Sequence, residues 1–139
     1  MIVLDTNVVS EIMRPKPTLK VSRWLKSYAV KDIFISALSV TELRFGAELL
    51  PDSSDKSILN DRIDHILRSL FEERILSFGT QAAERCAVLM ASKRAFTPFV
   101  KIIDLQIAAT ALTNGFAVAT RDVKDFQHDT LRVINPWTE

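Results

Sequence analysis

Short runs of β-branched and other apolar residues alternate along this chain with longer stretches whose apolar positions recur at helical spacing. Ile2-Val3-Leu4 reads as a buried strand and Ile33-Phe34-Ile35 as a second. Arg74 to Phe78, Phe116 to Thr120 and Leu131 to Ile134 read as a third, fourth and fifth. Val21, Trp24, Leu25 and Tyr28 share one helical face, as do Leu59, Ile63, Ile66, Leu67, Leu70 and Phe71. Thr80 is placed to cap a helix through Ala82, Cys86, Leu89 and Met90. A further helix runs from about Leu105 to Asn114, with Gly115 as its stop. Strands alternating with helices imply parallel pairing through right-handed crossovers. The expected fold class is α/β, with helices on both faces of the sheet.

Composition bounds this picture without changing it. A chain of 139 residues, 47% hydrophobic and 25% charged, is expected to form one globular domain spanning 1–139. Its apolar runs fall far short of the roughly 20 residues a membrane helix needs. Met1 leads straight into Ile-Val-Leu-Asp, which lacks the layout of a signal peptide, so the cytoplasm is the expected compartment and no membrane partner is expected. The single Cys86 rules out an intramolecular disulfide and a cysteine metal pair. A net charge of +1, with lysines and arginines spread evenly, neither supports nor excludes a nucleic-acid substrate.

The chemistry is expected where open α/β sheets place it, beyond the carboxyl ends of the strands and near the reversal of strand order. Asp5 directly follows the first strand, and Asp122 follows the fourth in Ala119-Thr120-Arg121-Asp122. Glu42 and Asp104 are read as acids near helix starts. If the first and fourth strands are neighbours, all four carboxylates converge on one edge.

Each acid also has a purely structural reading. Ser39 and Glu42 have the spacing of a capping box, and Asp104 suits the positive end of a helix dipole. Asp122 and Asp125 suit turns. Asp5 is the hardest to explain this way, because a charge directly after a buried strand is costly unless paired or metal-bound. Four mutually repelling carboxylates are reconciled by a hard divalent cation such as Mg²⁺. The absence of His and Cys from this set disfavours zinc. His65, on an amphipathic helix, and His128, in a polar loop, are read as surface residues.

Taken together, Val3-Leu4-Asp5-Thr6-Asn7, Ser39-Val40-Thr41-Glu42-Leu43, Asp104-Leu105-Gln106-Ile107-Ala108-Ala109 and Ala119 to Phe126 resemble a PIN-domain protein. The likeness is strongest to the VapC and FitB-like toxins of type II toxin–antitoxin systems, and it includes the closing Val133-Ile134-Asn135-Pro136-Trp137. It implies a five-stranded parallel sheet and an endoribonuclease dependent on Mg²⁺ or Mn²⁺. It implies metal-binding, catalytic acids at Asp5, Glu42, Asp104 and Asp122. Thr6, Asn7 and Thr120 match positions that orient carboxylates or water by hydrogen bonds. The implied partners are an RNA substrate, a second copy in a homodimer, and a cognate antitoxin with a DNA-binding domain, which inhibits the toxin and assembles with it into larger hetero-oligomers.

Two departures from the pattern stand out. Many relatives carry Asn where this chain has Asp122, and many carry a glycine within the stretch that reads Phe96-Thr97-Pro98-Phe99-Val100-Lys101 here. Lys101, Arg121 and Lys124 have two readings, as phosphate contacts or as solvated charges. A haloacid-dehalogenase-like phosphatase also opens with a strand and Asp-Thr, but it needs a second Asp where this chain has Asn7. A DNA-directed nuclease on the same fold would use the same acids. A catalytically silent PIN-like binding module should have lost some of them, and all four are present.

Overall fold

A computed structural model of the chain describes residues 1–93, 101–128 and 130–139. Five parallel strands run β1 (Ile2–Leu4), β2 (Ile33–Ser36), β3 (Ile75–Leu76), β4 (Ala117–Ala119) and β5 (Val133–Ile134), in the spatial order β3-β2-β1-β4-β5. The chain therefore builds outward from β1 to β3, then returns to the other side of β1. Leu4 pairs with Ile35 on one side and Ala119 on the other, so the order reverses between β1 and β4. The predicted third, fourth and fifth strands are present but shorter than their apolar runs.

Side-chain alternation sorts the core into two layers. Ile2, Leu4, Ile33 and Ile35 face α1 (Thr6–Ile12), α2 (Leu19–Lys26), α3 (Ala37–Glu48) and α4 (Ser54–Ile66), meeting Val8, Val9, Val21, Leu43 and Ile63. Val3 and Val118 face the opposite way, toward α5 (Thr80–Lys93), α6 (Ile102–Asn114) and α7 (Val123–Phe126), meeting Leu89, Leu105, Ile107 and Phe126. Helices cover both faces, as expected. Trp24 and Tyr28 pack against the first layer with ring centroids 4.9 Å apart.

Several local readings need correction. The helix carrying Glu42 does not begin at Ser39. Ser36, the last residue of β2, caps α3 by accepting from the Ser39 amide at 3.1 Å, which leaves Glu42 well inside the helix. Thr80 is itself the first residue of α5, and the Gly79 carbonyl accepts from Ala83 one turn on. The helical face from Leu59 to Phe71 belongs to two pieces: α4 passes at Leu67 into a wider π-turn that ends at Phe71. Gly115 stops α6 as expected, in the left-handed conformation (φ 69°) that glycine adopts without steric cost. Helices α1 and α7 are not foreseen by the apolar pattern.

Candidate active site

β1 ends in Leu4, and the next residue is the N-cap of α1. Asp5 donates its backbone N–H to the Ala119 carbonyl (2.9 Å), continuing the β1–β4 ladder by one step. Its carboxylate is thereby fixed at the point where strand order reverses, and only 5% of the residue is exposed. One oxygen accepts from the Thr6 amide at 2.7 Å, and the other from the buried Thr120 hydroxyl at 2.7 Å.

Thr120 links three parts of the site. Its Oγ1 donates to Asp5 and accepts from the Asp122 amide at 3.0 Å and from Asn7 Nδ2 at 3.1 Å. Asn7 Nδ2 also donates to Asp122 Oδ2 (3.1 Å), while its Oδ1 accepts from the Arg121 amide (3.2 Å). Asp122 stands at the N-cap position of α7 without bonding a helix amide, so its side chain serves this network rather than the helix end. Glu42 reaches the site from the next parallel unit and accepts from the Thr6 hydroxyl at 2.6 Å. A cleft of about 300 Å³ opens beside Thr6 and Glu42, with Arg14 and Arg62 on its walls.

Asp104 lies in the first turn of α6 and is half-buried. Burial pushes its pKa up to about 7, and the charges of Asp5, Asp125 and Glu42 push the same way against a weaker pull from Lys101. Asp5 is raised to about 6, mainly by burial, with Glu42 and Asp122 adding repulsion and its two hydrogen bonds opposing. The four acids therefore belong to one electrostatic cluster. Asp125, for which the sequence allows both a turn and a place in the site, lies in the same field and pairs with Lys101. The three-residue step from Asp122 to Asp125 at the start of α7 was the available sign. His65 is exposed on α4, and His128 hydrogen-bonds to Thr130 at 3.1 Å.

A second buried acid shows what is missing here. Glu11 accepts from the Thr18 amide (2.7 Å) and hydroxyl (2.6 Å), which hold its pKa down to about 2, and Arg14 at 3.2 Å helps. Asp5 is similarly buried, but among the described residues its two donors are both neutral and its neighbours are acids. Among those residues no cation lies within ion-pair distance of it. Oxygen donors short of a cation suit a hard divalent ion, so the residues present fit Mg²⁺ or Mn²⁺ in chemistry. Among the described residues, no three such side chains are already gathered as a coordination shell. Residues 96–100, whose missing glycine bore on the approach to Asp104, lie outside the described residues.

A family model described as the PIN domain matches residues 2–128. The chain belongs to the PIN domain family. This PIN-domain chain is 41% identical to the plasmid stability protein StbB of Pseudomonas syringae pv. tomato and 39% identical to toxin FitB of Neisseria gonorrhoeae, each match covering 99% of both chains. It is 37% identical to the VapC ribonuclease Y4jK of Sinorhizobium fredii, over 99% of this chain and 98% of that one. Among solved structures, FitAB bound to an IR36 DNA fragment superposes with a TM-score of 0.86 at 38% identity, over 99% of this chain and 96% of the other.

Proposed function

We propose that the protein is a divalent-metal-dependent endoribonuclease, the toxin of a type II toxin–antitoxin pair, with all of residues 1–139 forming one PIN domain. The observation that carries this reading is the acid cluster at the reversal of strand order, where burial and mutual repulsion raise the pKa values of buried Asp5 and half-buried Asp104, with Lys101 opposing at Asp104. The names of the relatives, a toxin and a ribonuclease among them, support the substrate and the role. Assembly of FitAB on DNA supports a partner antitoxin with a DNA-binding domain. The reading extends to a homodimer, to larger complexes with that antitoxin, and to the cytoplasm. Among the described residues, no helix is long and apolar enough to cross a membrane.

Asp5, Glu42, Asp104 and Asp122 would hold Mg²⁺ or Mn²⁺. The ion, when bound, supplies a more acidic water and charge stabilisation for hydrolysis of a phosphodiester. The protein's own contribution is position. Thr120 fixes one Asp5 oxygen, Thr6 orients Glu42, and Asn7 ties Asp122 to the end of β4. Burial of Asp5 keeps its charge unscreened until a cation arrives.

The direct test uses protein freed of any partner, incubated with mixed RNA and with DNA, with and without Mg²⁺ or Mn²⁺. Cleavage of RNA alone, present only with metal and absent from an Asp5→Asn protein, is the expected result. Intact RNA in every lane, from folded protein that also binds no metal, would sink the enzymatic reading. Thr120→Val adds a graded prediction. Loss of an oriented partner to a metal-binding group costs roughly 10–100-fold, so Mn²⁺-dependent cleavage should fall by that much, with weaker Mn²⁺ binding by calorimetry. An unchanged rate would mean that Thr120 does not orient Asp5 for the reaction.

A further inference from the structure

Three cations lie close in sequence to the acid cluster, and the structure separates them. Lys101 is engaged by Asp125. Lys124 is exposed on α7, and nothing among the described residues holds its ammonium in place. Arg121 is different. Its guanidinium carbon sits 4.8 Å from the ring centroid of Trp137, and among the described residues no carboxylate lies within ion-pair distance of it.

The contact follows from the sheet. β4 and β5 pair in parallel, Ala119 with Ile134, and the Thr120 amide donates to the Ile134 carbonyl at 2.9 Å. The residues just after each strand therefore emerge side by side at the carboxyl edge, Arg121 after β4 and Trp137 after β5. Asn135 locks the second of these turns. Its Oδ1 accepts from the Trp137 amide at 3.0 Å, and its carbonyl accepts from the Thr138 amide at 3.0 Å. The indole also packs against the core, which fixes its plane. Arg121 is fixed at its own backbone by the bond from its amide to Asn7.

An indole face holds a guanidinium by cation–π attraction without using any N–H donor. A carboxylate partner would have consumed two of them. The stacked arginine thus keeps its planar fork open to solvent, in the form suited to bidentate binding of phosphate. It sits between Thr120, which binds Asp5, and Asp122, which binds Asn7. Four carboxylates repel a polyanion, and Arg121 is the cation next in sequence to Asp122, emerging at the same carboxyl edge of the sheet.

We infer that Arg121 contacts the RNA substrate, its guanidinium binding a backbone phosphate beside the cleaved bond, and that Trp137 is the positioning residue that holds it there. The inference rests on the ribonuclease reading and adds to it a binding group outside the acid cluster. Lys101 and Lys124 are not assigned this role.

The experiment compares wild type, Arg121→Ala, Arg121→Lys, Trp137→Phe and Lys124→Ala. For each, the affinity for a short labelled single-stranded RNA is measured in EDTA across a salt series, and kcat and KM are measured with Mn²⁺. Loss of one phosphate contact should lower the slope of log affinity against log salt by about 0.7 and weaken binding roughly fivefold or more at low salt. Arg121→Ala should show this with a matching rise in KM, unchanged Mn²⁺ affinity and little change in kcat. Arg121→Lys should recover the salt slope but only part of the affinity, because an ammonium cannot bind phosphate in two-pronged fashion. Trp137→Phe keeps an aromatic face and should fall between wild type and Arg121→Ala in KM at wild-type kcat, a split that general loss of fold would not give. Lys124→Ala should have the smaller effect. Wild-type affinity, slope and KM in Arg121→Ala overturn the inference while leaving the nuclease intact. Loss of Mn²⁺ binding in that variant also overturns it, since the arginine would then act through the acids. A wild-type protein that neither binds nor cleaves RNA fails at the earlier reading and takes this one with it.

Discussion

Asp104→Asn should abolish metal-dependent RNA cleavage and, in EDTA at pH 8, melt at a higher temperature than wild type. The two effects have one cause. At pH 8 the Asp104 carboxylate is ionised although burial and the charges of Asp5, Asp125 and Glu42 disfavour that state. Asparagine keeps the shape and removes the charge, so the metal-free fold should gain roughly 2–5 °C in Tm, the scale expected for about 1 kcal/mol in a domain of this size. The same change deletes a carboxylate from the proposed cation site, and activity should fall by more than the roughly 10–100-fold that loss of an orienting partner costs. With saturating Mn²⁺ the order of Tm values should reverse, because only wild type has the full acid set to draw stability from binding. Thermal melts with and without Mn²⁺, beside a cleavage assay, check all three statements. If Asp104→Asn melts below wild type in EDTA, the carboxylate has a structural partner and the crowded-charge account of the site is wrong. Asp5→Asn gives a less clean comparison. An amide cannot accept from both the Thr6 amide and the Thr120 hydroxyl as the carboxylate does, so relief of charge is offset by a lost bond.

Particular residues show how far the sequence could be read. Asp5 after Ile2-Val3-Leu4 was legible because a charge directly after a buried strand is costly unless it is paired or metal-bound. Gly115 was legible because helix ends have few chemical solutions. The four acids stand out in the sequence because each lies beside a strand end or a helix turn, and the β1–β4 pairing on which their convergence depends is present. Helix α1 was hidden by its own composition. Val8 and Val9 are β-branched neighbours with poor helix propensity, and both are fully buried, so packing and the Asp5 cap decide that conformation. The start of α3 was misplaced because Ser36 and Ser39 are both competent caps. The choice is made by the sheet, where Ser36 still pairs with Leu76. The opposite fates of Glu11 and Asp5 were beyond local reading, since the donors that quiet Glu11 come from Thr18, seven residues on, and the acids that crowd Asp5 come from other elements. Asp125 was hidden for the same reason, its partner Lys101 lying 24 residues away.

The raised acids also fix a direction for pH. The Asp5 carboxyl ordinarily titrates near 3.8 and does so near 6 in the fold, while Asp104 moves from 3.8 to about 7. Between pH 4 and pH 7 the metal-free folded protein therefore holds protons that the unfolded chain has released, and stability must fall as pH rises through that window. The loss begins above the unfolded values and is complete once both groups have ionised, just above pH 7. For buried Asp5 alone, a shift of about two units corresponds to roughly 3 kcal/mol, an upper figure that relaxation around the site would reduce. A fall of roughly 5–10 °C in Tm from pH 5 to pH 8 in EDTA is expected on that scale. Overall charge works the other way. With a sequence pI of 7.9, raising the pH over this range lowers the net positive charge and should relieve repulsion, so a falling Tm points to the local cluster. Mn²⁺ or Mg²⁺ should remove the decline, because binding favours the ionised carboxylates and displaces their protons. Metal affinity should accordingly rise with pH until both acids have ionised, and cleavage measured below metal saturation should rise with it. A Tm in EDTA that is flat or increases from pH 5 to pH 8 would show that Asp5 and Asp104 are ionised at no cost. A cation at this edge of the sheet would then have no uncompensated charge to neutralise.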